Sequence, residues 1–466
     1  MILVEVTVNF RLIDEESNMR SEGEAKVILD DRFVTLAVEF GEPMLISYTD
    51  IVGISEQEYI IKLILTSRET LELSRLGYQY EDFLSELFRL RNEILLKYML
   101  MEESLIKSGF KVQFTWFDSK EQINQSGNCE CRFYETALLI LPQKNKPIRV
   151  PYCYVLQISK IEYRIVLITE FGEKFEFSNL GDKFETFGKS LSEAFNKMML
   201  RSQTIIKDMI PETDPLTTNK IAALMKDGRA AKRKDIEPIS TDLWRRLTKI
   251  ISEAGMDQEY GFLDAMSLKD QECVGVKRGL MGDISGDYIW LQFPLCASGS
   301  KRLLNAVALE AFSANANNEQ KPETQPQKNN STVASPEEDS EEKGSISNGK
   351  ATYFFRILSR QAYAQTSDEE LKIELDSFIR NINRCMIEIN FRREPIYLSD
   401  DALDSPKYTQ YRFAVAEIPS LRALRNLFIG RVIHSSFDQW KKDVTDLLDF
   451  NTNSSDDSTK WKKGAE

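Results

Sequence analysis

The chain is poor in the residues that do most enzyme chemistry and metal binding. It has one histidine, His434, in 466 residues. Histidine is the usual general base near neutral pH and the commonest metal ligand, so one copy excludes multi-histidine metal sites. Any Ser-His-Asp or Cys-His arrangement would have to be built on His434. The local pattern places that residue on a C-terminal helix, as a surface or core histidine. No GxSxG elbow accompanies it. The six cysteines, Cys129, Cys131, Cys153, Cys273, Cys296 and Cys385, are scattered, and none forms a CxxC pair. That excludes a disulfide framework and reads as reduced, mostly buried thiols of a cytoplasmic protein. Cys129 and Cys131 stand two apart on a strand and face one side, with no neighbouring ligands in sequence to complete a zinc site.

Long apolar runs are also missing. No stretch reaches about 18 residues, so no membrane-spanning helix is expected. The N-terminus MILVEVTVNFRLIDEE lacks a basic leader and reads as a strand with Val4, Val6, Val8 and Phe10 alternating. Positive charge is in deficit. The formal net charge of -13 excludes coating DNA or anionic membrane through global charge.

What the chain does have is length, an ordinary apolar content and a repeat. With 42% hydrophobic residues it can build about three domains of roughly 150 residues. Sliding it against itself by 104 residues superposes Tyr48 on Tyr152, Ile54-Ser55 on Ile158-Ser159 and Tyr59 on Tyr163. Further on, Leu76-Gly77 meets Leu180-Gly181, and Glu81, Phe83, Leu87 and Asn92 meet Glu185, Phe187, Leu191 and Asn196. Gly23 and Gly127 keep the same spacing upstream. Self-similarity at one fixed offset is the mark of duplication.

Each copy has the same order of elements. Short alternating runs, in copy one Lys26 to Leu29, Val34 to Phe40, Met44 to Tyr48, Tyr59 to Leu65 and Thr70 to Ser74, read as strands. A Leu-Gly turn follows, then an amphipathic helix with Phe83, Leu87, Leu90, Ile94 and Tyr98 on one stripe. In copy two Phe187, Leu191, Phe195 and Met198 take that part. Tyr59, Leu63, Phe83 and Leu87 have the period of core residues. Glu69 and Glu72 alternate with apolar neighbours and are expected to face solvent.

Antiparallel strands closed by one C-terminal helix, in about 100 residues, resemble the pleckstrin-homology superfold. The resemblance covers roughly residues 1 to 207. It implies two tandem PH-like β-barrels, 1–104 and 105–207, each capped by its helix, with protein, peptide or lipid ligands. The single tryptophan usual in the helix of that family is absent, and Phe83 and Phe187 are the large aromatics near the helix start.

Residues 208–254 read as a linker with a basic helical segment, because Pro211 and Pro215 and several turn formers precede Lys226, Arg229, Lys232, Arg233, Lys234, Arg245, Arg246 and Lys249. From 255 to 450 the pattern gives a separate α+β domain. Its strands are Glu272 to Lys277, Tyr288 to Phe293, Asn305 to Phe312 and Ala351 to Ile357. The glycine-rich stretch 279–287 lies between two strands and reads as a hairpin turn. Residues 314–350, rich in Asn, Gln, Pro, Ser and Glu, read as a disordered insert. Ser367 and Glu370 form a capping box before a helix with Leu371, Leu375, Phe378, Ile382, Met386 and Ile389 on one stripe. Two helices follow, about Ser420 to Ile433 and Phe437 to Leu448, and then a frayed polar tail over 451–466. The fold class is therefore α+β.

The resulting expectation is a non-catalytic cytoplasmic adaptor or scaffold that binds protein partners and needs no cofactor. Three alternatives stand beside it. Copy two could bind anionic lipid headgroups through Lys144, Lys146 and Arg149. The basic residues Lys232, Arg233, Lys234, Arg245 and Arg246 could contact nucleic acid in a chaperone-like role. An enzyme of unrecognised type is the third.

Overall fold

The structure, a computed structural model, describes residues 4–98, 103–280, 284–297, 302–313, 351–453 and 460–461. The 314–350 insert lies outside the described residues. The chain divides into two compact units, 1–198 and 199–466.

The first unit holds two seven-stranded antiparallel sheets. Copy one runs β1 (Val4–Ile13), β2 (Met19–Leu29), β3 (Phe33–Val38), β4 (Met44–Ser47), β5 (Ile51–Gln57), β6 (Ile60–Leu65) and β7 (Thr70–Ser74), then the helix α1 (Tyr80–Tyr98). Copy two runs β8 (Leu105–Phe117), β9 (Ile123–Tyr134), β10 (Ala137–Pro142), β11 (Ile148–Pro151), β12 (Val155–Ile161), β13 (Arg164–Thr169) and β14 (Lys174–Ser178), then α2 (Phe184–Met209). Strand order is β4-β3-β2-β1-β7-β6-β5 in one and β11-β10-β9-β8-β14-β13-β12 in the other. From β3 onward every strand of copy two lies 104 residues after its counterpart. The register repeats too, with Phe10 opposite Gly23 and Phe114 opposite Gly127.

The alternating apolar residues turn to the inner face, where the helix covers them. Copy one buries Val8, Phe10, Leu63, Leu71 and Leu73 against Phe83 and Leu87. Copy two makes its core from Phe110, Phe133, Phe177 and Phe187, with ring centroids 5.2 to 5.4 Å apart. The Leu-Gly turns start the helices because Gly77 and Gly181 adopt φ of 59° and 55°, where a Cβ is costly. Glu69 and Glu72 are half-buried on the outer face, paired with Arg20 at 3.2 Å and Lys62 at 2.7 Å.

Tyr59 departs from the sequence expectation. It is 77% exposed and Tyr163 is 86% exposed. Both stand at hairpin tips whose two central residues have positive φ: Glu58 and Tyr59 at 51° and 60°, Glu162 and Tyr163 at 45° and 62°. Turn geometry outweighs the apolar character of the ring, because a two-residue hairpin loop projects its side chains outward.

The two copies dock. Leu96 of α1 packs with Leu139 and Leu141 of β10, Asn92 donates to the Asn145 carbonyl at 2.8 Å, and Arg132 of β9 grips Glu93 at 2.5 and 3.1 Å.

The second unit is built on a six-stranded antiparallel sheet. Its strands, in spatial order, are β15 (Ala231–Lys232), β16 (Cys273–Leu280), β17 (Ile284–Cys296), β18 (Leu303–Ser313), β19 (Ala351–Phe355) and β20 (Phe428–Ile433). The β16–β17 pairing runs to Leu280 opposite Ile284, as a hairpin requires; its tip, 281–283, lies outside the described residues. The expected capping box of Ser367 and Glu370 is present and opens the helix Asp368–Glu388.

Three stretches differ from expectation. Residues 208–254 do not form a loose linker. Helices Pro215–Leu224 and Thr241–Glu253 place Ile221, Leu243, Trp244, Leu247 and Ile251 in the main core. The turn formers cap these helices, as Asp214 does by accepting from Leu216 and Thr217, and do not separate domains. The stretch 420–433 is a helix, Pro419–Leu427, followed by strand β20. The β-branched Ile429, Val432 and Ile433 favour the sheet. The tail is not wholly frayed. The last helix continues to Asn453, and Trp461 is buried with its N–H donating to the Ile429 carbonyl at 2.6 Å.

Candidate peptide-binding groove

The basic residues singled out in the sequence are mostly spoken for. Lys144 reaches across to copy one, 2.8 Å from Glu81 and 3.4 Å from Glu56. Arg149 pairs with Glu103, both side chains being under a tenth exposed. Lys146 lies on the same loop, exposed, its N–H donating to Asn145 at 2.8 Å. Lys232 pairs with Asp376. Arg233 bonds Glu237 at 2.6 Å and Glu272 at 3.0 Å and lies 4.6 Å from the Trp244 ring. Burial pushes the Glu272 carboxyl up to about 7 against the pull of Arg233. Lys234 is exposed. Arg245 pairs with Asp242 at 3.0 Å, and Arg246 lies 3.9 Å from Glu253 on the same helix. The structure thus joins Lys232 and Arg233 to internal acids and leaves Arg245 and Arg246 in exposed pairs along one helix.

His434 follows strand β20 instead of sitting on a helix. Its Nε2 lies 3.0 Å from Glu310 Oε1 and 3.1 Å from Thr352 Oγ1, and Trp440 Nε1 donates to that hydroxyl at 2.9 Å. All six cysteines are buried and unpaired as disulfides. Cys129 and Cys131 share a face, Sγ to Sγ 3.8 Å, and burial pushes the Cys131 thiol well up. Among the described residues no three His, Cys, Asp or Glu side chains are placed to hold a metal ion. None of the described helices is long and apolar enough to cross a membrane.

Two cavities matter in the first unit. The larger, about 860 Å³, separates α1 from the outer face of β8, β9 and β10. Arg132 bonds one wall to the other through Glu93. It also holds Glu130 on its own strand at 3.0 Å, and Arg89 holds Glu86 on its own helix at 2.5 and 2.7 Å.

The smaller cavity, about 280 Å³, lies between strand β12 and helix α2, lined by Val155, Leu156, Gln157, Ile158, Ser192, Phe195 and Asn196. Its counterpart in copy one is closed. The offset of 104 pairs Ser192 with Phe88 and Phe195 with Arg91. Phe88 belongs to the copy-one core. Arg91 is 1% exposed, and its guanidinium donates to the Ile51 carbonyl at 2.8 and 3.0 Å and to Val52 at 3.2 Å. Those bonds tie α1 to β5. In copy two the exposed Ser192 stands where Phe88 is buried, and the phenyl ring of Phe195 has no N–H with which to donate to β12 carbonyls as Arg91 donates to those of β5.

Strand β12 is the edge of its sheet and among the described residues pairs only with β13. A bulge between Val155 and Gln157 turns Leu156 outward, 63% exposed. The groove therefore combines an open backbone edge with a lining of mixed character, Leu156, Ile158 and Phe195 beside Gln157, Ser192 and Asn196. The sequence reading missed it by weighing the identities between the copies. The signal lay in the mismatches, Phe88 against Ser192 and Arg91 against Phe195. No family model matches the chain, and no curated protein matches it either.

Proposed function

We propose that the chain is a non-catalytic protein-binding scaffold built on two tandem PH-like domains, and that copy two takes up an extended peptide segment between β12 and α2. Strand order and the closing helix in both copies support the PH-like assignment. A free sheet edge beside a helix is suited to strand addition, where main-chain hydrogen bonds supply affinity and side-chain pockets supply choice. The observation that carries the reading is the exchange of Phe88 and Arg91 for Ser192 and Phe195, which opens in copy two the gap that copy one closes. Copy one then serves as a rigid support. Lipid-headgroup binding is less well supported, because Arg149 is buried in its pair with Glu103 and does not face solvent beside Lys144 and Lys146.

The test is selection of a displayed random nonapeptide library on the full chain, with Phe195→Arg as the control that restores the copy-one residue. The expected result is enrichment of peptides with a large apolar residue on the wild type and loss of binding, tenfold or more, on the variant. Equal enrichment on both chains, or none on the wild type, would defeat the reading.

A further inference from the structure

Beyond the groove, β12 continues to Lys160, and that end of the site is built differently in the two copies. At the 104 offset Lys160 replaces Glu56, Phe184 replaces Tyr80 and Gly188 replaces Leu84, while Glu185 matches Glu81. Lys160 Nζ donates to Glu185 at 2.5 Å and lies 5.5 Å from the centre of the Phe184 ring. A Cβ on Gly188 would stand 2.8 Å from Lys160 Cε and 3.3 Å from Ile165 Cδ1. Glycine inside a helix is unfavourable. Here it provides the room in which the lysine stem crosses from strand to helix. Copy one has Leu84 there, fully buried, and no such crossing.

The crossing does two things. It bridges β12 and α2 just past Ile158, the last strand residue that lines the groove. It also sets an ammonium group at that end of the groove. Lys160 and Glu185 are both substantially exposed, 46% and 77%. An exposed pair of that kind is weak, and its ammonium retains capacity for a second carboxylate. Copy one carries the opposite charge at the same place. There Glu56 accepts from the Tyr80 hydroxyl at 3.2 Å and faces Lys144.

Resting on the peptide-groove reading, we infer that the partner segment carries an aspartate or glutamate two residues from its apolar anchor, and that Lys160 reads it. The spacing follows from the strand: beyond the bulge at Leu156 the pairing is regular, alternate side chains face one side, and Lys160 lies two residues beyond the groove-lining Ile158. Glu185 and Phe184 act as positioning residues that hold the ammonium in place. The partner's charge requirement is therefore local and acidic, although the chain as a whole is itself acidic at -13.

The test uses the full chain and fluorescein-labelled peptides drawn from the library selection, each made with Glu, Gln or Lys at the second position from the anchor. Fluorescence anisotropy reads affinity. The wild type should prefer Glu over Lys by about fivefold, as an exposed charge pair allows, and the preference should shrink in high salt. Lys160→Glu should invert the order. Gly188→Leu should displace the lysine and erase the preference. Circular dichroism confirms that each variant is folded. If Glu and Lys peptides bind equally to the wild type while Phe195→Arg still abolishes binding, the inference is overturned and the groove stands. If Phe195→Arg binds as well as the wild type, the groove reading falls and takes the inference with it.

Discussion

The two copies of the first unit share a chain trace and differ in what they do with it. In copy one the gap between edge strand and helix is filled by Phe88 and bonded shut by Arg91. In copy two Ser192 and Phe195 leave it open. The cation near the helix start is also sourced differently. Copy one receives Lys144 from its neighbour, whereas copy two has its own Lys160. The lesson is that a duplication conserves what holds the fold together and releases what faces the gap. Both copies end in an edge strand, but only copy one ties the start of that strand to its helix, through Arg91 and the Ile51 and Val52 carbonyls.

The largest expected effect tests the anchoring of the segment that leads into copy two, where Glu103 stands just before β8. Arg149→Ala should destabilise the chain by about 4 kcal/mol, because Glu103 is left as an uncompensated buried charge. Urea denaturation followed by tryptophan fluorescence reads it, and a change below about 1 kcal/mol would mean that the pair is not buried in solution. Next comes the closed gap. Arg91→Ala should cost about 3 kcal/mol, from the lost packing and the carbonyls of Ile51 and Val52 left without their donor. Phe195→Ala, at the matching position, should cost only about 1 kcal/mol, since its ring is half-buried beside an opening. Equal losses at the two positions would erase the contrast between closed and open copies.

Smaller effects sharpen the picture. Replacing Glu58-Tyr59 by Asn-Gly should stabilise the chain by about 1 kcal/mol, because both positions demand positive φ and Asn-Gly adopts it readily. The same exchange at Glu162-Tyr163 should act alike, and the rise in melting temperature reads both. A loss of stability would show that the edge contact of Tyr59 with Tyr80, 5.5 Å between ring centroids, outweighs the backbone strain. The smallest change is Lys144→Ala, about 0.5 kcal/mol and vanishing in high salt, as for other exposed pairs.

Much of the fold was legible because it rests on local rules. Alternating valines, leucines and phenylalanines gave the strands, Leu76-Gly77 and Leu180-Gly181 gave the helix starts, and Ser367 with Glu370 gave a helix boundary. Edge strand β5 went unread, since the outer half of Ile51–Gln57 is polar and exposed and carries no alternation. Strand β20 was read as helix because Leu421 and Leu424 set a helical spacing that runs into Phe428. Its β-branched residues then pair with β19, a partner more than seventy residues away in sequence. The candidate site was least legible. Lysines and arginines draw attention as free charges, but whether a charge is free depends on distant carboxylates such as Glu103 and Asp376, and nothing local announces them. The groove is an absence of volume, visible only once the helix is laid against the strand.

Trp461 carries a further consequence. Strand β20 is the last of its sheet, and the tail returns across it to hydrogen-bond Ile429 and cover Gly430, whose added Cβ would stand 3.2 Å from the Trp461 Cβ. An uncovered sheet edge is a template on which a second chain can add its own strand. Trp461 therefore works as a stopper: its backbone N–H occupies the edge and its ring joins the core beneath, and a chain shortened before it would present that edge to a second molecule.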